Sequence, residues 1–136
     1  MRPVLVDSSV WIDFFKDRET AATVALELAH ADREIVTADL IVMEVLQGFR
    51  LARDVRAAEA LFDRMPCYLL GGERRARLAA ENYRTLRSAG VTPRSSIDVL
   101  IATCCVEEGV ELLTDDRDFR LMAPHLDLAL HGLPVN

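Results

Sequence analysis

No apolar run in this chain approaches the roughly 18 residues that a membrane-spanning helix needs, so no membrane partner is expected. The opening residues, Met1-Arg2-Pro3-Val4-Leu5-Val6-Asp7, meet an acid too early for a secretory signal, and a cytoplasmic location is expected. Cysteine is scarce. Cys67 stands alone and Cys104 and Cys105 are adjacent, which gives neither a disulfide framework nor zinc-ligand spacing. These three read as small apolar core residues. Lysine is nearly missing: Lys16 is the only one, so almost all positive charge is arginine. Glycine- or proline-rich linkers, internal repeats and low-complexity stretches are missing too. The 136 residues therefore read as one domain, 1–136.

What is present is a globular composition, 51% apolar and 28% charged, far from that of a disordered chain. The formal net charge of -6 argues at first sight against a nucleic-acid partner. Its distribution argues otherwise. Residues 1–46 and 98–136 are strongly acidic, while residues 47–97 hold ten arginines against five acids. Arginine forks onto phosphate oxygens; the blander alternative is solvated helix faces paired with Glu59, Glu73 and Glu81.

Pro3 to Val6 is a short apolar run and reads as a buried strand. Ser8 or Ser9 is placed to cap a helix through Phe15. A second helix is expected over Glu19 to His30, a strand at Ile35 to Thr37, a helix from Ala38 to Ala52, and another from Asp54 to near Met65, stopped by Pro66. Cys67 to Leu70 reads as a third strand and Gly71-Gly72 as a turn. A long amphipathic helix follows, Glu73 to Ala89. Ser95 or Ser96 caps the next, Ile97 to Glu107, which is apolar nearly all round and so expected to be buried. Glu111 to Thr114 is a fourth strand, and Asp127 to Leu130 a candidate fifth at the edge. Strands alternating with helices point to an α/β layer fold with a mostly parallel sheet of four to five strands.

Four acids do not sit in polar runs. Asp7 directly follows a buried strand. Glu44 interrupts Leu40-Ile41-Val42-Met43-Glu44-Val45-Leu46, Asp98 interrupts Ile97-Asp98-Val99-Leu100-Ile101, and Asp116 lies just past the fourth strand. Such carboxylates are costly unless paired or bound to a cation. Any one alone could be a helix cap or half an ion pair, Asp98 in particular. Together they fall where α/β sheets place ligands, beyond the carboxyl ends of the strands. Oxygen-only donors select hard ions such as Mg²⁺ or Mn²⁺, and an acid-only, metal-filled pocket suits phosphodiester hydrolysis without a side-chain nucleophile. His30, His125 and His131 are all remote from these acids and read as surface residues.

Val4-Leu5-Val6-Asp7-Ser8-Ser9-Val10-Trp11-Ile12 resembles the opening of PIN-domain proteins. Ile97-Asp98-Val99-Leu100-Ile101-Ala102 resembles their second-half helix, and Leu112-Leu113-Thr114-Asp115-Asp116-Arg117-Asp118-Phe119 their closing T-x-D-x-D-F block. The resemblance covers nearly the whole chain. It implies a PIN-like three-layer α/β/α sandwich with Mg²⁺ or Mn²⁺ held by Asp7, Glu44, Asp98 and Asp116. Ser9 and Thr114 match supporting hydroxyl positions, and Asp118 matches an additional acid. At this length the resemblance is to the VapC toxins of VapBC pairs: endoribonucleases that cleave tRNA or ribosomal RNA, form homodimers and are neutralised by a VapB-like antitoxin. Arg50, Arg53, Arg74, Arg75, Arg77 and Arg94 would then supply the RNA phosphate contacts. Two departures stand out: Ser8 replaces a common Thr, and Asp115 adds an acid beside Asp116, so the fourth ligand could slip by one.

Two other classes fit parts of the pattern. A haloacid-dehalogenase-like phosphatase or a receiver domain also places an Asp after the first strand. The phosphatase wants a second Asp where Ser9 stands, and both want a later lysine that this chain lacks. A non-catalytic PIN-fold binding protein would usually have lost one of the four acids.

Overall fold

A computed structural model describes residues 1–132 of the chain. Four short strands, β1 (Val4–Val6), β2 (Ile35–Ala38), β3 (Cys67–Tyr68) and β4 (Glu111–Leu113), form a sheet in the order β3-β2-β1-β4, and every pairing is parallel. β1 is the hub. Leu5 lies between Val36 of β2 and Leu112 of β4, and all three side chains are buried. Strands covered on both faces need no polar alternation, which is why Val4-Leu5-Val6 is apolar throughout.

Seven helices join the strands: α1 (Ser8–Phe15), α2 (Ala21–Asp32), α3 (Asp39–Gln47), α4 (Ala52–Phe62), α5 (Glu73–Ser88), α6 (Ser96–Glu108) and α7 (Arg117–Leu126). The chain steps from β1 to β2 to β3 in one direction, then returns past β2 and β1 to lay down β4. Right-handed crossovers put α1–α4 on one face and α5–α6 on the other. The packing agrees: α1 contacts α2 and α3, and α3 contacts α4, while α5, α6 and α7 contact one another. The direction of travel reverses between β1 and β4, and such a switch point opens a crevice beyond the carboxyl ends of its two strands.

Each layer has its own fastening. Trp11 packs edge-on against Phe62 at 5.5 Å and Phe15 against Phe49 at 5.6 Å, tying α1 to α4 and to the link before it. On the other face, Arg75 of α5 is only 9% exposed. Its Nε donates to Glu107 at 2.9 Å and its Nη2 to Glu108 at 2.8 Å, while Nη1 donates to the Leu69 carbonyl. Asn82 of α5 donates to the Thr103 hydroxyl of α6 at 2.9 Å. Gly109 then closes α6 in the left-handed conformation (φ 67°), turning the chain directly into β4.

Several boundaries differ from those expected, for local reasons. The cap of α1 is Asp7 rather than Ser8 or Ser9, since its carboxylate accepts the Ser8 amide. α2 starts later, at a capping box in which Thr20 and Thr23 bond each other's amides. The helix expected to reach Ala52 stops at Gln47, and Gly48 to Leu51 link it to α4. β3 has two residues rather than four. The fifth strand is reduced to an isolated parallel bridge, Leu112 with Leu130. α6 is buried as expected over Val99 and Ile101–Cys105, although Val106 faces solvent.

Candidate active site

β1 and β4 end in step, Val6 opposite Leu113, so the next residues emerge side by side. The Asp7 amide donates to the Leu113 carbonyl at 3.0 Å, and the Thr114 hydroxyl donates to Asp7 Oδ2 at 2.9 Å. Asp7 is 5% exposed. Its Oδ1 accepts the Ser8 amide at 2.8 Å, and the Ser9 hydroxyl approaches Oδ2 at 3.3 Å. Burial pushes this carboxyl above its usual range, the bonds from Thr114, Ser8 and Ser9 oppose that, and the charge of Asp116 adds to it. The Thr114 hydroxyl serves twice, since it also accepts the Asp116 amide at 2.9 Å.

Glu44 stands one turn and a half into α3, flanked by the buried Ile41 and Val45. Burial raises its carboxyl and so does the charge of Asp7, while hydrogen bonding from the Ser8 side chain pulls it back. Asp98, the third residue of α6, is pushed up to about 7 by burial, then by the charges of Asp7, Asp116, Glu44 and Asp118. The four acids singled out from sequence therefore act on one another across one pocket. They come from four separate elements: the ends of β1 and β4, and the opening turns of α3 and α6.

Asp116 caps α7, its Oδ1 accepting the Asp118 amide at 2.9 Å. Asp115 points elsewhere. Burial and the charge of Asp13 raise its carboxyl, and it is absent from the acids that act on Asp98. The structure thus puts Asp116, not Asp115, with the other three. Asp118 borders the pocket but is engaged: its Oδ2 accepts both the backbone amide and Nε of Arg94, each at 3.2 Å, and these bonds hold its carboxyl below the usual range.

Every donor here is a carboxylate or hydroxyl oxygen, which suits Mg²⁺ or Mn²⁺ and not a soft ion. Among the described residues, no three His, Cys, Asp or Glu side chains are drawn close enough together to grip an ion as they stand. Carboxylates whose charge is not offset repel one another, and the same repulsion lifts Asp98 toward neutrality. The donor chemistry and the shared electrostatics fit a divalent cation that would draw the acids inward.

The predicted arginines divide. Arg94 reaches the pocket, its Nη2 lying 3.4 Å from Asp116 Oδ1. Arg50 and Arg53 are exposed, on and just before α4. Arg74 and Arg77 lie on the open face of α5, paired with Glu107 and Glu73. Arg75 corrects the sequence reading: it is buried and bonded on three sides, so it has no free edge for a phosphate. The pairing glutamates are Glu73, Glu107 and Glu108 rather than Glu59 and Glu81. No histidine joins the acids; His131 Nδ1 instead meets Glu111 at 2.9 Å. Ser8 is the residue whose role was missed. Its amide holds Asp7 and its side chain lowers the Glu44 carboxyl, and its only signal in the sequence is its place directly after the strand-end acid.

A sequence model of the PIN domain family matches residues 4–123. Ribonuclease VapC11 of Mycobacterium tuberculosis is 30% identical over 122 residues, covering 88% of this chain and 91% of the relative. Among solved structures, VapBC2 of Rickettsia felis bound to a DNA fragment from their promoter superposes with a TM-score of 0.70 at 16% identity, covering 94% of this chain and 96% of the other. VapBC-1 from nontypeable Haemophilus influenzae gives a TM-score of 0.70 at 19% identity, with the same coverage.

Proposed function

This chain belongs to the PIN domain family, and on that footing we propose that it is a metal-dependent endoribonuclease, the toxin of a VapBC-type pair that a VapB-like antitoxin neutralises. The observation that carries the chemistry is the mutual influence of Asp7, Glu44, Asp98 and Asp116 at the one switch point of the sheet. These four would hold Mg²⁺ or Mn²⁺. When bound, such a cation supplies Lewis acidity, lowering the pKa of water and offsetting charge on the phosphodiester.

The chain's own residues do the positioning. Thr114 and the Ser8 amide aim the two oxygens of Asp7 and partly offset the rise that burial imposes on its carboxyl. Asp116, fixed by the Thr114 hydroxyl at its amide and by the first turn of α7 at its carboxylate, cannot rotate freely. Preset ligands of this kind keep the geometry from relaxing as charge develops. RNA is the substrate, with tRNA or ribosomal RNA as the target class. Hydrolysis by water in line leaves 5′-phosphate and 3′-hydroxyl ends. A homodimer is supported by Met43 (48% exposed) and Leu51 (50%), apolar residues left uncovered on the α3–α4 segment.

The test is cleavage of total bacterial RNA by the purified protein with Mn²⁺, with Mg²⁺ and with EDTA, beside Asp98→Asn. Discrete fragments with 5′-phosphates that vanish with EDTA and with Asp98→Asn are expected. Ends bearing 2′,3′-cyclic phosphate would overturn the mechanism, because the nucleophile would then be the RNA's own hydroxyl.

A further inference from the structure

Arg94 touches two of the pocket's acids, and its contacts are unequal. Its backbone amide and Nε both donate to Asp118 Oδ2 at 3.2 Å, which anchors the loop before α6 and the base of the guanidinium. The third contact, Nη2 to Asp116 Oδ1, is 3.4 Å long, at the outer limit of a hydrogen bond. Its acceptor already takes the Asp118 amide at 2.9 Å. The side chain is 77% exposed. A guanidinium carries five N–H donors in a fixed fork. Only Nε and Nη2 have partners here among the described residues, so the Nη edge is weakly held while its root is fixed.

Resting on the metal-nuclease reading above, we propose that Arg94 is an exchangeable counter-ion, which offsets Asp116 while no divalent cation is bound and presents its Nη edge to an RNA phosphate once a cation takes Asp116. A cation at Asp116 claims the carboxylate and repels Nη2. Asp118 lies outside that contact and keeps hold of Nε and the backbone amide, so the freed edge stays at the pocket rim instead of drifting into solvent. A phosphate brought to the cation meets two adjacent N–H donors there, the geometry in which arginine binds phosphate best. The same side chain would thus compete with the metal and cooperate with the RNA.

Opposite effects on two ligands test this. Mn²⁺ alone is titrated by calorimetry into the wild type, Arg94→Gln and Arg94→Lys. A fluorescent oligouridylate is then bound by each over a salt series, with and without Mn²⁺, and followed by anisotropy. Arg94→Gln is expected to bind Mn²⁺ about thirtyfold tighter, the factor for removing a unit charge about 4 Å from a divalent ion in water-like surroundings. Its RNA salt slope is expected to be shallower by about 0.7, one single-strand phosphate contact, only when Mn²⁺ is present. Arg94→Lys keeps the charge and loses the fork, so its Mn²⁺ affinity stays near wild type. Equal Mn²⁺ affinity in wild type and Arg94→Gln, or a slope change of the same size with and without Mn²⁺, overturns this inference alone. A wild type that takes up no Mn²⁺ overturns the metal-nuclease reading and this inference with it.

Discussion

Thr114 carries two bonds with one hydroxyl, to Asp7 Oδ2 and from the Asp116 amide, and is itself buried. Thr114→Val keeps the shape and removes both. It should cost about 1–3 kcal/mol in urea unfolding, the range for stranding a buried polar partner, and lower cleavage as well, whereas Thr114→Ser should retain most of both. Asp98→Asn is expected to abolish cleavage without lowering stability in EDTA, since it removes a charge that four neighbouring acids oppose; a lower melting temperature would contradict that. At this scale the sequence was legible where a residue broke a pattern. Glu44 and Asp98 stand out because their neighbours are apolar. Arg75 was misread for the converse reason: an arginine inside a basic stretch looks exposed, and only the packing of α5 on α6 shows it buried.

At the scale of elements, α5 and α6 offer a contrast between two ion pairs. Arg75→Ala leaves Glu108 and the Leu69 carbonyl without their donor and Glu107 with Arg74 alone. The expected loss is about 2–3 kcal/mol, below that for a fully buried pair because the Glu108 side chain is 37% exposed. Arg77→Ala breaks a pair whose partners are both open to solvent and should cost no more than about 0.5 kcal/mol. Urea midpoints of the two variants check both figures. A second device sits at the other end of β4. Glu111 is buried enough to raise its carboxyl, yet His131 and Arg33, each 2.9 Å away, bring it below its usual value. A carboxyl lowered in the folded state contributes stability above its unfolded pKa of about 4.3 and loses it as pH falls through the folded value. Glu111→Gln should therefore be less stable than wild type at pH 7, with the gap closing in acid; a constant gap from pH 7 to 3 would refute this. Strand and helix order could be read from apolar spacing and breakers. The short β3 and the residual bridge at Leu130 could not, because strand length depends on which neighbour is there to pair, and that is a tertiary fact.

For the molecule as a whole, the net charge of -6 conceals an uneven distribution, with Asp7, Glu44, Asp98 and Asp116 gathered at the switch point and Arg94 at its rim. Drawing a cation among those acids should stabilise the fold by mass action, about 2.7 kcal/mol at a hundredfold excess over the dissociation constant. A thermal shift with Mn²⁺ that Asp98→Asn loses would record it. The layer order was legible from the alternation of strands and helices; the reversal between β1 and β4 was not, since nothing local in a strand names its neighbours. That reversal also sets when, in folding, the four acids can meet. Thr114 bonds an acid 107 positions earlier in the chain, and β4 is the last strand among the described residues. A nascent chain that has released Asp7 and Glu44 still lacks Asp98 and Asp116, and β1 keeps one edge open until β4 docks. The four acids therefore share one site only after the last third of the chain has folded, and a fragment that ends before Asp98 is expected to bind no Mn²⁺ in calorimetry.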